Sequence, residues 1–235
     1  MKTPNYKIKN NGDSALTIIF EEPPSESLTR KLIPLCESFR LTFKALLLDI
    51  IPSYQSITLH FDPLKLNKEI FIKQIKHLLA LPISASAYQS KTIEIPVCYE
   101  DPHATDLSTV ANHCHMSKEQ VISTHLDNIY LVHMLGFLPG FLYLGGLSKS
   151  LYCPRKEVPA KQIIAGSVAI GGNQTGIYPV NSPGGWHVIG RTPISIFDPY
   201  RQNPAIASPL DKIRFIQIND SDFIKLQQNQ TEKTP

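Results

Sequence analysis

Hydrophobic positions recur at two different periods along this chain, and the change of period predicts two kinds of structure. Residues 15–20, ALTIIF, form a β-rich run closed by EEPPS. Over residues 25–39, Leu28, Leu32, Leu35 and Phe39 recur at spacings of three and four, which predicts an amphipathic helix. Pro34 lies inside it and is expected to kink or shorten it. Residues 43–50 read as a strand and 52–54 as a turn. Residues 55–61 read as an alternating strand with Ile57, Leu59 and Phe61 on one face. A second helix follows over 67–80, with Asn67 as N-cap and Ile70, Ile75, Leu78 and Leu79 on one side. Residues 91–97, KTIEIPV, close the set as a strand. The order β-α-β-β-α-β is that of a ferredoxin-like sandwich. His60 and His77 read as ordinary strand-face and helix-face residues.

Beyond residue 97 the pattern changes. Residues 106–115 and 117–126 read as short helices, and Ser117 with Gln120 has the form of a capping box. Short β-rich runs separated by Gly and Pro then follow at 129–135, 141–144, 167–170, 176–180, 186–189, 193–197 and 212–218. Many short strands without intervening helices predict a barrel or sandwich. The expected organisation is an α+β, ferredoxin-like domain over 1–92, a mainly-β barrel domain over 93–225 and a frayed tail over 226–235.

Composition sharpens this division. Of the 12 glycines, all but Gly12 fall between Gly136 and Gly190. A net charge of +3, without a Lys/Arg run, argues against a nucleic-acid partner. Apolar runs such as ALLLDII are far shorter than the ~20 residues of a membrane span. The N-terminus lacks the apolar stretch of a signal peptide. Cys36, Cys98, Cys114 and Cys153 stand singly, without CxxC spacing, and read as unpaired thiols of a cytoplasmic protein.

Candidate chemistry is sparse. His113 and His115, with His125 and His133 further on, lack an accompanying acidic residue or CxxC, so no metal set is recognised. No nucleophile elbow, phosphate loop or dinucleotide fingerprint is present. What remains is a constellation. Residues 136–147, GFLPGFLYLGGL, place Gly and Pro between aromatics; residues 153–159 supply Arg155, a planar fork suited to a carboxylate. Residues 171–193, GGNQTGIYPVNSPGGWHVIGRTP, add Gln174, Tyr178, Ser182, Arg191 and the chain's one tryptophan, Trp186. Directed polar groups in a glycine-shaped wall suit a small polar anion or amide. The residues equally suit plain barrel turns, with Tyr178 and Trp186 filling a core.

At these residues the chain resembles a known family. MLGFLPGFLYLGGL, PR…VP, AGSVAIGGNQTGIYPVNSPGGWHVIGRTP and FDP are similar to the hallmark of the B subunit of bacterial 5-oxoprolinase. That family is also called allophanate hydrolase subunit 1, and it includes a sporulation-kinase inhibitor. The likeness is dense over residues 94–215 and looser over 51–63. It departs at Ala160, where many relatives carry a second Pro-Arg pair, at IIAGS (163–167) and at YEDPHATDL (99–107). The resemblance implies a cyclophilin-like barrel and a complex with the C and A subunits of 5-oxoprolinase, the C subunit in direct contact. The complex would hydrolyse 5-oxo-L-proline to L-glutamate with ATP, which the complex binds, not necessarily through this chain. Arg155 or Arg191 is expected to pair with the substrate carboxylate, Gln174 with the amide, and His125 to transfer a proton. Phe137, Pro139, Gly140, Tyr178, Ser182 and Trp186 are expected around the ring. Inhibition of a sensor histidine kinase, or processing of urea or allophanate, are the alternative functions the family implies.

Overall fold

The computed structural model describes residues 3–83 and 89–231. The chain divides between Gln89 and Ser90 into two units, each with its own core.

In the amino-terminal unit, β1 (Tyr6–Asn10), β2 (Ala15–Phe20), β3 (Leu47–Pro52) and β4 (Ser56–Phe61) form an antiparallel sheet in the order β1-β2-β4-β3. Two helices, α1 (Glu26–Thr42) and α2 (Lys68–Ala80), complete the unit. Ser25 caps α1 by accepting the Leu28 N–H, and Asn67 caps α2 by accepting that of Ile70. Alternation along β4 buries Ile57, Leu59 and Phe61 against Leu28, Leu32, Leu35 and Phe39 of α1. Pro34 does not end α1, which continues to Thr42. The buried side of α2 is Phe71, Ile75 and Leu79; Ile70 is 55% exposed and lies off it.

The expected β-α-β-β-α-β order is corrected to β-β-α-β-β-α. The strand at 91–97 exists as β5 (Thr92–Cys98), but it pairs in parallel with β13 (Lys212–Ile218) of the second unit, Ile95 against Phe215. Its partner lies far along the chain, so local pattern names the strand but not its sheet. The place in the amino-terminal sheet falls instead to β1, whose YKIKN is too polar to announce itself.

The second unit is a closed seven-stranded barrel in the order β10-β7-β6-β13-β5-β12-β9. Its strands besides β5 and β13 are β6 (Ile129–Leu135), β7 (Leu142–Gly145), β9 (Ser167–Gly171), β10 (Gln174–Ile177) and β12 (His187–Arg191). The short strands β8 (Ala160–Ile163) and β11 (Ser182–Gly184) pair as a separate ribbon. Helices α3 (Leu107–His113) and α4 (Lys118–Leu126) precede β6, and the Ser117–Gln120 capping box is present in both directions. The run at 193–197 forms no strand beyond an isolated bridge from Phe197 to Ala205. The tail does not fray at 226: α5 (Asp220–Thr231) runs through it, anchored by buried Phe223, and 232–235 lie outside the described residues. No helix among the described residues is long and apolar enough to cross a membrane.

Alternation on the barrel strands sets up the site. Along β7, Leu142 and Leu144 face the barrel core while Tyr143 points outward. Along β9, Val168 and Ile170 join that core and Ala169 joins an outer cluster with Phe141, Ile163, Tyr178, Trp186 and Val188.

Candidate functional site

The outer cluster is hollowed by a cleft of about 280 Å³ lined by Phe137, Phe141, Tyr143, Arg155, Pro159, Tyr178, Pro183, Gly184, Gly185 and Trp186. Its floor is a set of edge-to-face aromatics. Phe141 meets Tyr178 at 5.0 Å between centroids and Trp186 at 5.4 Å, and Phe137 meets Tyr178 at 6.4 Å. Phe137 is 61% exposed at the rim, where its backbone holds a φ of 68°. Arg155 carries its guanidinium carbon 5.7 Å from the Trp186 ring centre.

Glycine makes this arrangement possible at two places. A β-carbon on Gly171 would stand 2.6 Å from three atoms of the Trp186 indole. One on Gly184 would collide with the Tyr178 hydroxyl. Both aromatic rings therefore lie directly on backbone.

The loop bearing Arg155 is clamped in place. Lys156 N–H donates to Gly185 O at 2.7 Å, and Lys156 Nζ pairs with Asp106 Oδ2 at 2.7 Å. The same Oδ2 accepts the Val188 N–H at 2.8 Å. His187 Nε2 lies 3.0 Å from the Pro154 carbonyl, which can only accept, so this nitrogen carries the proton. Its Nδ1 is then a buried acceptor without a partner. Burial pushes the His187 imidazole down from its ordinary pKa.

Burial also pushes the Tyr178 hydroxyl up to about 12, and raises that of Tyr143. Both remain protonated donors at neutral pH. The cleft thus offers one cation, two phenolic donors and a flat apolar wall.

Several expected site residues stand elsewhere. His125 is fully buried inside the barrel. Thr175 Oγ1 donates to Ala169 O, so it accepts from His125 Nε2 at 3.1 Å, leaving Nδ1 to accept from Tyr99 OH at 2.9 Å. The ring stacks on Phe215 at 4.7 Å, and burial lowers its pKa to about 3. It is a neutral core group rather than a proton carrier.

Arg191 lies five residues past Trp186, about 16 Å along the strand. Its Nε donates to Ala165 O at 2.9 Å, and its guanidinium sits 5.4 Å from the Phe223 ring on α5. Gln174 begins β10 at the hairpin with β9 and does not line the cleft. Pro139 and Gly140 shape the turn beside Phe137; a β-carbon on Gly140 would press on Phe197. Ser182 flanks the cleft, and its buried Oγ has no partner among the described residues. Ala160 packs against the outer cluster.

Phe141, Tyr143, Pro159, Pro183, Gly184 and Gly185 complete the lining; they stand in the same glycine- and proline-rich segments but are not among the expected site residues. Alternation in FLYL is the one signal that points to Tyr143. Asp106, Lys156 and His187 carry no local signal.

A larger groove of about 700 Å³ on the amino-terminal unit is lined by residues including Thr3, Tyr6, Glu21 and Leu79. Its carboxylate, Glu21, is paired with Lys7, and it holds no imidazole, thiol or guanidinium. The aromatic cleft is therefore the candidate site despite its smaller size.

Comparison with known proteins finds matches that span both units. The family described as "Carboxyltransferase domain, subdomain C and D" matches residues 6–207. The 5-oxoprolinase B subunit of Bacillus subtilis (strain 168) is 35% identical over 231 residues, covering 94% of this chain and 96% of the relative. The protein of the same name from Escherichia coli O157:H7 is 37% identical over 207 residues, covering 87% and 93%. The crystal structure of TTHA0988 superposes with a TM-score of 0.76 at 35% identity over 87% of this chain, which spans 40% of that longer one. Matched along nearly its whole length, the chain belongs to the carboxyltransferase C and D subdomain family, in the branch of the 5-oxoprolinase B subunits.

Proposed function

We propose that this chain is the B subunit of an ATP-dependent 5-oxoprolinase. Together with the A and C subunits, it hydrolyses 5-oxo-L-proline to L-glutamate in the cytoplasm. The observation that carries the reading is the Arg155 guanidinium over Trp186 at the mouth of an aromatic cleft. A five-membered lactam with one carboxylate matches that cleft in charge and shape. Its planar amide lies against Trp186 and Tyr178, Phe137 closes the rim, and its carboxylate takes the guanidinium fork. The protonated Tyr178 and Tyr143 hydroxyls donate to the lactam oxygen. His125, Arg191 and Gln174 have no part in holding the ring.

An unstrained lactam opens slowly near neutral pH, so ATP is used to activate its oxygen. The oxygen takes the terminal phosphoryl group and ADP leaves. Water then adds to the carbonyl carbon, the ring C–N bond breaks to give the free amine and an acyl phosphate, and a second water splits that into glutamate and phosphate. Among the described residues the cleft has one guanidinium and no backbone cradle for a triphosphate, which favours a place for ATP in another part of the assembly. This chain's share is to bind and orient the lactam.

The test is glutamate release from 5-oxoproline and ATP by the three subunits together, with this chain present and then omitted. Loss of activity on omission is the expected result. Full activity without this chain overturns the reading.

A further inference from the structure

The corner where β5 ends and α5 begins gathers three side chains that the cleft does not use. Cys98 closes β5, His103 follows in the turn, and Asp220 opens α5. Parallel pairing of β13 with β5 brings them together, because it sets Ile218 opposite Cys98 and so delivers Asp220 to the same corner. One potential ligand atom from each of the three lies within 4.8 Å of the others.

The cluster is held in place. His103 Nε2 is 2.8 Å from Asp220 Oδ1, and the imidazole rests on Phe223 with centroids 4.1 Å apart. The His103 side chain is 9% exposed while that of Asp220 is 44% exposed, so the cluster is backed by protein and open on one side. Cys98 is fully buried. The Glu100 carboxylate lies 3.3 Å from the Asp220 N–H and has no cationic partner among the described residues. Two carboxylates thus share this corner with one imidazole and one thiol.

We propose that Cys98, His103 and Asp220 form a binding site for a divalent metal ion of the zinc class, with the fourth position open. A thiolate, an imidazole and a carboxylate oxygen are the donor set that borderline-soft zinc takes in preference to magnesium or calcium. Metal–ligand bonds of about 2.0–2.3 Å require donor atoms roughly 3.5 Å apart. The His103–Asp220 separation of 2.8 Å is shorter than that figure and the other donor pairs lie within 4.8 Å, so side-chain adjustments on the order of 1 Å close the site. On binding, the Cys98 S–H bond breaks and its proton leaves to solvent. The proton that His103 Nε2 shares with Asp220 is given up and the ring keeps its N–H at Nδ1, so that the Nε2 lone pair takes the metal. The ion would fasten α5 to β5. None of these residues lines the aromatic cleft, so the inference is independent of the proposed reaction.

The test uses the full chain, stripped with a chelator and titrated with Co²⁺ as a spectroscopic substitute for zinc. One equivalent of Co²⁺ should produce a thiolate-to-metal charge-transfer band that Zn²⁺ then abolishes, and Zn²⁺ should raise the thermal midpoint. Cys98→Ser should lose the band. Asp220→Asn, at a half-exposed position that leaves the core intact, should weaken Co²⁺ binding about tenfold or more. Absence of the band in the unaltered protein, or a band and affinity unchanged in Asp220→Asn, overturns the site.

Discussion

Trp186 lies so close over Gly171 that three of its indole atoms would stand 2.6 Å from a β-carbon there. The ring is seated on the β9 backbone, which fixes the back wall of the cleft. Gly171→Ala should push the indole outward and cost about 1–3 kcal/mol through overpacking. Because Trp186 is the chain's one tryptophan, its emission reports the move directly. A red-shifted spectrum with a lowered urea midpoint is expected. An unchanged spectrum in a folded variant would mean that the wall tolerates the methyl.

Arg155 is exposed, and its contact is with the Trp186 ring rather than an acid. Arg155→Ala should therefore leave the unfolding midpoint nearly unchanged while cutting kcat/KM for 5-oxoproline by about 100-fold in the assembled enzyme. That is the scale of a lost charge-assisted pair. Arg155→Lys should recover part of this, since an ammonium keeps the charge but not the fork. Arg191→Ala should do the reverse, lowering stability through the lost Ala165 and Phe223 contacts while sparing substrate affinity. Steady-state kinetics beside urea unfolding separates the two arginines.

The contrast between those arginines shows how far the sequence could be read. Short-period signals were legible: alternation placed β4 and its buried Ile57, Leu59 and Phe61, and Asn67 and Ser117 marked true helix starts. From the glycine-rich segment, Tyr178 and Trp186 line the candidate cleft. What failed was anything decided by partners distant in sequence. KTIEIPV was visible as a strand but not as a barrel strand, because its pairing with residues 212–218 leaves no local mark. Arg155 and Arg191 carry the same chemistry. Only the direction of β12, which carries residue 191 away toward α5, separates them. His125 looked like a base because sequence cannot display a buried Tyr99–His125–Thr175 chain.

The Arg155 loop depends on Asp106, whose Oδ2 holds both Lys156 Nζ and the Val188 N–H in a mostly buried position. Asp106→Ala leaves that ammonium and that N–H without their acceptor. A loss of about 2 kcal/mol of stability is expected. It should come with a raised KM, because Arg155 and Pro159 share the loop. Asp106→Asn can keep the Val188 bond and should fall between the two. A stability loss without any change in KM would show that the loop keeps its position by the Lys156–Gly185 backbone bond and the His187–Pro154 contact.

His125 makes folding sensitive to acid in a direction its environment dictates. Burial depresses its pKa from 6.5 to about 3. Below about pH 6.5 the unfolded chain takes up a proton that the folded chain refuses. The unfolded state therefore binds more protons, and stability falls as pH falls through this window toward 3. The slope from this group reaches at most about 1.4 kcal/mol per pH unit. His187, also depressed by burial, acts in the same direction. His125→Phe, which fits among Tyr99, Tyr130 and Phe215, removes one of the two terms. Urea unfolding between about pH 7 and about pH 5 should then show a shallower loss of stability in the variant than in the parent. Parallel curves would mean that the imidazole takes up its proton in the fold as readily as in the unfolded chain, with Nδ1 donating to the Tyr99 oxygen instead of accepting from its hydroxyl.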